Sequence, residues 1–128
     1  MNREELFEKK SMIKIHDKLF PCPVSAAMEF IGGKWKSVIL AHLMDGEKRY
    51  NELRKNIPTI TERTLSLQLK QLELDGLISR KVYTTKPPLK VIYSLTTFGE
   101  TVVPVLQSII DWGISAAMEK GEFIEQEQ

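Results

Sequence analysis

The chain reads as a mainly α-helical single domain with one small β-hairpin, an α+β fold. Three observations predict it. Apolar residues recur at three- and four-residue spacing through most of residues 23–75 and again through 96–119. Residues 77–95 depart from that period, with β-branched and aromatic runs on either side of a proline pair. Finally, 128 residues at 42% hydrophobic and 27% charged can bury one core but not two comfortable ones.

The opening "MNREELFEKKSMIKIHDKLF" mixes acids with bases and holds no apolar run of signal or membrane length, the pattern of a cytosolic protein. Its Leu6, Phe7, Ile13 and Leu19 are irregularly spaced, so residues 1–20 form an extension, a dimer arm or a partly disordered tail, ahead of a domain over 21–128. Cys22-Pro23 opens a helix whose Val24, Ala27, Met28 and Ile31 share a face, and Gly32-Gly33 closes it. In "KWKSVILAHLMDG", Trp35, Val38, Ile39, His42 and Leu43 form a second stripe, ended by Gly46 as a C′ glycine. His42 has no carboxylate or nucleophile motif with it and reads as a packing or surface residue. "RYNELRKNIP" is a third helix, with Tyr50, Leu53 and Ile57 on one side and Pro58 ending it.

The next helix is fully specified. Thr61 suits its N-cap, Leu65, Leu69 and Leu72 repeat at i, i+4, i+7, and Asp75-Gly76 stops it. Opposite the leucines fall Arg63, Leu67 and Lys70, with Thr64, Ser66 and Gln71 on the shoulders. Behind a short helix and a tight turn, this face fits a helix-turn-helix. Arg and Gln can bond base edges in pairs, Ser and Thr serve bases or phosphates, and Leu67 matches a thymine methyl. Glu62 dissents, since a carboxylate repels phosphate and must turn away or meet a cytosine amine. An ordinary solvated helix would show the same face, so the helix alone does not decide.

The segment behind it adds weight. "LISRKVYTT" and "LKVIYSLT" flank "KPP" as a hairpin, with Val91, Tyr93 and Leu95 alternating, and carry Arg80, Lys81, Lys86 and Lys90. Helix, turn, helix and basic ribbon together describe a winged helix. Net charge is only +1, but residues 48–90 hold ten Lys/Arg against four acids, residues 1–47 seven against seven, and residues 96–128 one Lys against six acids. A basic middle between neutral and acidic flanks is the distribution of a phosphate-contacting module with separate assembly segments.

"TTFGETVVPVLQSIIDWGISAAMEK" reads as one helix capped by Thr96 and kinked at Pro104. Val102, Leu106, Ile109, Ile110, Trp112 and Gly113 are the expected dimerisation residues, because the stripe is wider than a small domain needs. Cys22, at a helix start, is a candidate thiol sensor, since free amides and the dipole favour a thiolate; a small residue at a helix start explains it equally well. As the only cysteine it makes no intrachain disulfide, and with His16 and His42 it completes no metal site. No cofactor is implied. No nucleophile elbow, P-loop or metal motif appears, which argues against an enzyme.

The segments "CPVSAAMEFIGGKWKSVILAHLMDG", "RYNELRKNIPTITERTLSLQLKQLELDGLISR" and "PPLKVIYSLTTFGETVVPVLQSIIDWG" resemble the HxlR-type branch of the MarR-like winged helix-turn-helix transcriptional regulators. The resemblance implies a homodimeric bacterial regulator bound to double-stranded DNA at a palindromic operator, with the N- and C-terminal helices forming the dimer. On this chain it makes Thr61 to Asp75 the recognition helix and Arg80 to Lys90 the wing. Some members act through a cysteine at the position of Cys22, which implies a small electrophile or oxidant as effector. A winged helix that contacts protein and not DNA is the alternative; it predicts scattered basic residues.

Overall fold

The computed structural model describes residues 2–8 and 12–126, without the side chains of residues 7 and 8, so the expectation for Phe7 lies outside the described residues. The order is α1 (Arg3–Glu8), β1 (Ile13–Ile15), β2 (Lys18–Phe20), α2 (Pro23–Ile31), α3 (Lys36–His42), β3 (Lys48–Arg49), α4 (Tyr50–Asn56), α5 (Glu62–Leu74), β4 (Ile78–Val82), β5 (Val91–Leu95), α6 (Thr97–Glu100) and α7 (Val103–Lys120). Two antiparallel sheets result, β1-β2 and β3-β5-β4.

The core gathers one face of each central helix. Ile39, Leu40 and Leu43 from the α3 region meet Leu53 and Ile57 from α4, Leu65, Leu69 and Leu72 from α5, and Leu106 from α7. The three leucines of α5 are at most 2% exposed, and burying such a side chain contributes about 1.5–3 kcal/mol. Their spacing thus fixes the rotation of α5 about its axis.

Sequence patterning misplaces some elements. On α2 the expected inner face is only partly inward: Ile31 is buried as expected, but Val24 and Met28 are 58% and 49% exposed, and Ala26 is buried instead. That helix is apolar on nearly every side, so its period cannot say which stripe the neighbours will cover. On α3, Leu40 takes the buried place expected of Val38, which is exposed. Within the expected extension, residues 13–20 form a hairpin with register Ile13↔Phe20 and Ile15↔Lys18, which the irregular apolar spacing did not signal. His16 and Asp17 turn it at φ 50° and 61°, values that sequence reading associates with Asn-Gly. The wing gains a third strand, since Lys48 and Arg49 pair with Tyr93 and Ile92. Val91, Tyr93 and Leu95 lie in or against the core, as their alternation predicts, and Ile92 between them is buried as well.

Pro104 does not kink a long helix. The chain breaks after α6 at Thr101, and Pro104 sits in the first turn of α7, where its missing N–H leaves no bond unmade. By length and composition the stretch Thr97–Lys120 passes for a membrane span, since an 18-residue window within it has mean hydropathy 1.3. Yet α6 and the start of α7 are committed to the domain: Gly99 and Leu106 are buried, and Val102 packs on the core. The 18 residues of α7 reach about 27 Å, short of a hydrocarbon core of about 30 Å.

The joint between wing and α6 depends on Gly99. Thr96 donates its N–H to the Leu77 carbonyl at 3.1 Å and accepts from the Gly99 N–H at 2.9 Å. This draws Gly99 so close to the Leu77 carbonyl that a Cβ there would overlap it. Gly99→Ala should therefore lower the unfolding free energy by about 1–3 kcal/mol, as overpacking does, measured by urea denaturation; unchanged stability would show that the joint yields freely.

Candidate nucleic-acid interface

Thr61 caps α5. Its hydroxyl accepts from the Thr64 N–H at 3.1 Å and donates to Thr64 Oγ1 at 2.9 Å, so both threonines use their hydroxyls on the helix start. On the outer face of α5, Arg63, Ser66, Leu67 and Lys70 are exposed, Leu67 by 52%. Gln71 is half-buried and lines a polar cleft with Lys18, Glu29 and Lys36, which puts it on the flank nearer the β1-β2 hairpin. The wing residues Arg80, Lys81, Lys86 and Lys90 are all exposed. Among the described residues, none of these cations on α5 and the wing is paired with a carboxylate.

The wing tip is held by its own backbone. Tyr83 donates its N–H to the Lys90 carbonyl at 2.8 Å, and the Thr84 hydroxyl accepts from the Lys90 N–H at 3.0 Å. The Lys90 ammonium lies 5.7 Å from the Tyr83 ring centre, within cation–π range.

The start of α4 adds residues that the sequence reading did not single out. The Tyr50 hydroxyl lies 3.2 Å from Ser66 Oγ and donates to the Glu62 carbonyl at 3.4 Å, tying α4 to the first turns of α5. Arg49, Tyr50 and Asn51 also share an open cleft with Leu89 and Val91 of the wing. The α4 start thus touches both elements and bridges them. Arg54 meets Glu62 at 2.6 Å, which answers the question posed by that acid: it is held by a neighbouring cation. The basic-aromatic-polar run Arg49-Tyr50-Asn51 at a helix start was the available signal.

The HxlR-like helix-turn-helix family profile matches residues 30–121. The chain belongs to this family. Among relatives of this HxlR-like regulator, the uncharacterized HTH-type transcriptional regulator YdeP of Bacillus subtilis is 56% identical over 92 residues, 72% of this chain and 71% of YdeP. The redox regulator HypR in its oxidized form superposes with a TM-score of 0.69 at 49% identity, over 73% of this chain and 96% of HypR. Its reduced form gives 0.70 at 48%, over 73% and 92%. The chain is a transcriptional regulator of the helix-turn-helix type, and its winged-helix architecture is that of its neighbours.

Cys22 of this HxlR-like protein is the N-cap of α2, in extended backbone with Pro23 following. Its Sγ is 3.6 Å from Ser25 Oγ. The Ser25 backbone N–H first, and the Val24 N–H with it, favour the thiolate over the opposing effect of burial and lower the thiol's pKa, while the Ser25 hydroxyl donates to the Cys22 carbonyl at 2.9 Å. Because the reactive thiolate forms at lower pH, the alkylation rate by iodoacetamide should rise to its plateau with a midpoint below that of free cysteine, and Ser25→Ala, which keeps the backbone N–H, should leave it below. A midpoint at or above the free-cysteine value contradicts this.

Proposed function

We propose that this regulator binds double-stranded DNA as a homodimer in the cytoplasm, on a palindromic operator. The outer face of α5 enters the major groove and the wing meets the adjacent minor groove or backbone. The observation that carries the reading is the pairing pattern. The leucine seam turns Arg63 and Lys70 to solvent, and neither they nor the four wing cations are neutralised by a carboxylate among the described residues. Cations left unpaired beside a helix-turn-helix are suited to phosphate.

The dimer reading rests on α7, where Ile109, Ile110, Trp112, Ile114 and Met118 are 42–73% exposed. So many exposed apolar side chains on one terminal helix favour a covering partner, and a second copy brings two recognition helices to one face of a duplex. Leu106 and Val102, expected at that interface, pack instead in or against the domain core, so the interface would begin beyond them. The activated Cys22, together with the redox regulator HypR as a structural neighbour, supports oxidant or electrophile control through that thiol.

Titrating a random duplex with the protein between 50 and 200 mM salt tests the reading. It predicts a log–log slope of about −4 or steeper, since each neutralised phosphate contributes about −0.9, with two chains bound per short duplex at saturation. A flat salt dependence would favour the protein-contact reading instead.

A further inference from the structure

Glu62 is an anion inside a cationic surface, and its surroundings assign it a task. It lies at the first position of α5, 70% exposed along its side chain, beside Arg63 and Ser66 and against Arg54 at 2.6 Å. Arg54 is itself 39% exposed, and ion pairs this open to water add little to stability. A stabilising role is therefore a weak reason for the pair. What the contact does is orient. The Tyr50 hydroxyl fixes the backbone of the same turn through the Glu62 carbonyl, and Arg54 then holds the carboxylate, which stays open to solvent.

An oriented carboxylate on a helix that enters the major groove has few partners. Phosphates repel it, as do the acceptor atoms of guanine and thymine. The donors on base edges are the amines of cytosine and adenine, and an acceptor-only group suits cytosine N4, because adenine adds an N7 acceptor beside its amine.

We infer that Glu62 is a specificity-determining residue that reads a cytosine in each operator half-site, with Arg54 as its positioning residue. The inference rests on the DNA reading above. It also gives the Arg54–Glu62 contact a function that neither the leucine seam nor the wing accounts for.

Selection of bound sequences from a randomised duplex library tests it, using the full-length protein with and without substitution. Wild type should enrich cytosine at one position per half-site by about 5- to 150-fold over other bases, the range of a good base contact. Glu62→Gln should shift that one position toward adenine, Glu62→Ala should erase the preference there, and Arg54→Met should weaken it, with the remaining positions retained. Circular dichroism and melting of each variant separate these effects from misfolding, and Glu62→Asp is a second variant that keeps the carboxylate. If wild type selects a motif that the substitutions at position 62 leave unchanged, Glu62 is only a local counter-charge and the inference is overturned while the DNA reading stands. If wild type selects no motif, sequence readout by α5 fails, and this inference with it.

Discussion

The burial of Leu65, Leu69 and Leu72 against α3 and α4 is the constraint on which the rest of the structure depends. Three side chains spaced over two turns leave α5 no freedom to rotate without exposing a leucine, at a cost of about 1.5–3 kcal/mol each. The same seam that holds the helix therefore decides which residues it shows. Thr61 sets its beginning through the Thr64 amide and Gly76, at φ 79°, its end. The outward set of Arg63, Leu67 and Lys70 is a consequence of inward packing, and any recognition chemistry on α5 inherits its register from the core.

Around that rod the polar contacts divide into fastening and display. Tyr50 joins α4 to α5 through Ser66 and Glu62, and Thr96 joins the turn at Gly76 to α6. The β1-β2 hairpin is tied to α2 by Lys18 and Glu29 at 2.8 Å, a bond that raises the lysine's affinity for its proton and lowers the carboxylate's. Its turn places His16 3.6 Å from Asp75 at the end of α5. Cations engaged in such links, Lys18, Lys48 and Arg54, are spoken for, whereas those on the wing are not. Position along the chain does not predict this division; the three-dimensional placement of carboxylates does.

Much of the helical frame was legible because its signals are local. Caps, terminating glycines and the i, i+4, i+7 leucines all act within one or two turns, and α4, α5 and the Cys22 N-cap appear where they were expected. The failures have a common cause, which is competition between segments distant in sequence. Which apolar stripe of α2 faces inward depends on neighbours, and the two-residue strand β3 exists only because β5 offers it a ladder. The division of the last helical stretch into α6 and α7 depends on Gly99 meeting Leu77 across the chain. At the candidate interface, exposure of Arg63, Lys70 and the wing cations could be read from period and composition. The bridging role of Tyr50 and the capture of Glu62 by Arg54 could not, since each requires knowing how α4 lies on α5.

The most direct test is a backbone amide titration by NMR, in which isotope-labelled protein receives a short random duplex at low salt. The account predicts that shifts cluster at residues 49–51, in the first half of α5 and along residues 80–90, while the core leucines stay unmoved. Shifts confined to α7 or to the β1-β2 hairpin, or scattered without relation to these elements, would contradict it.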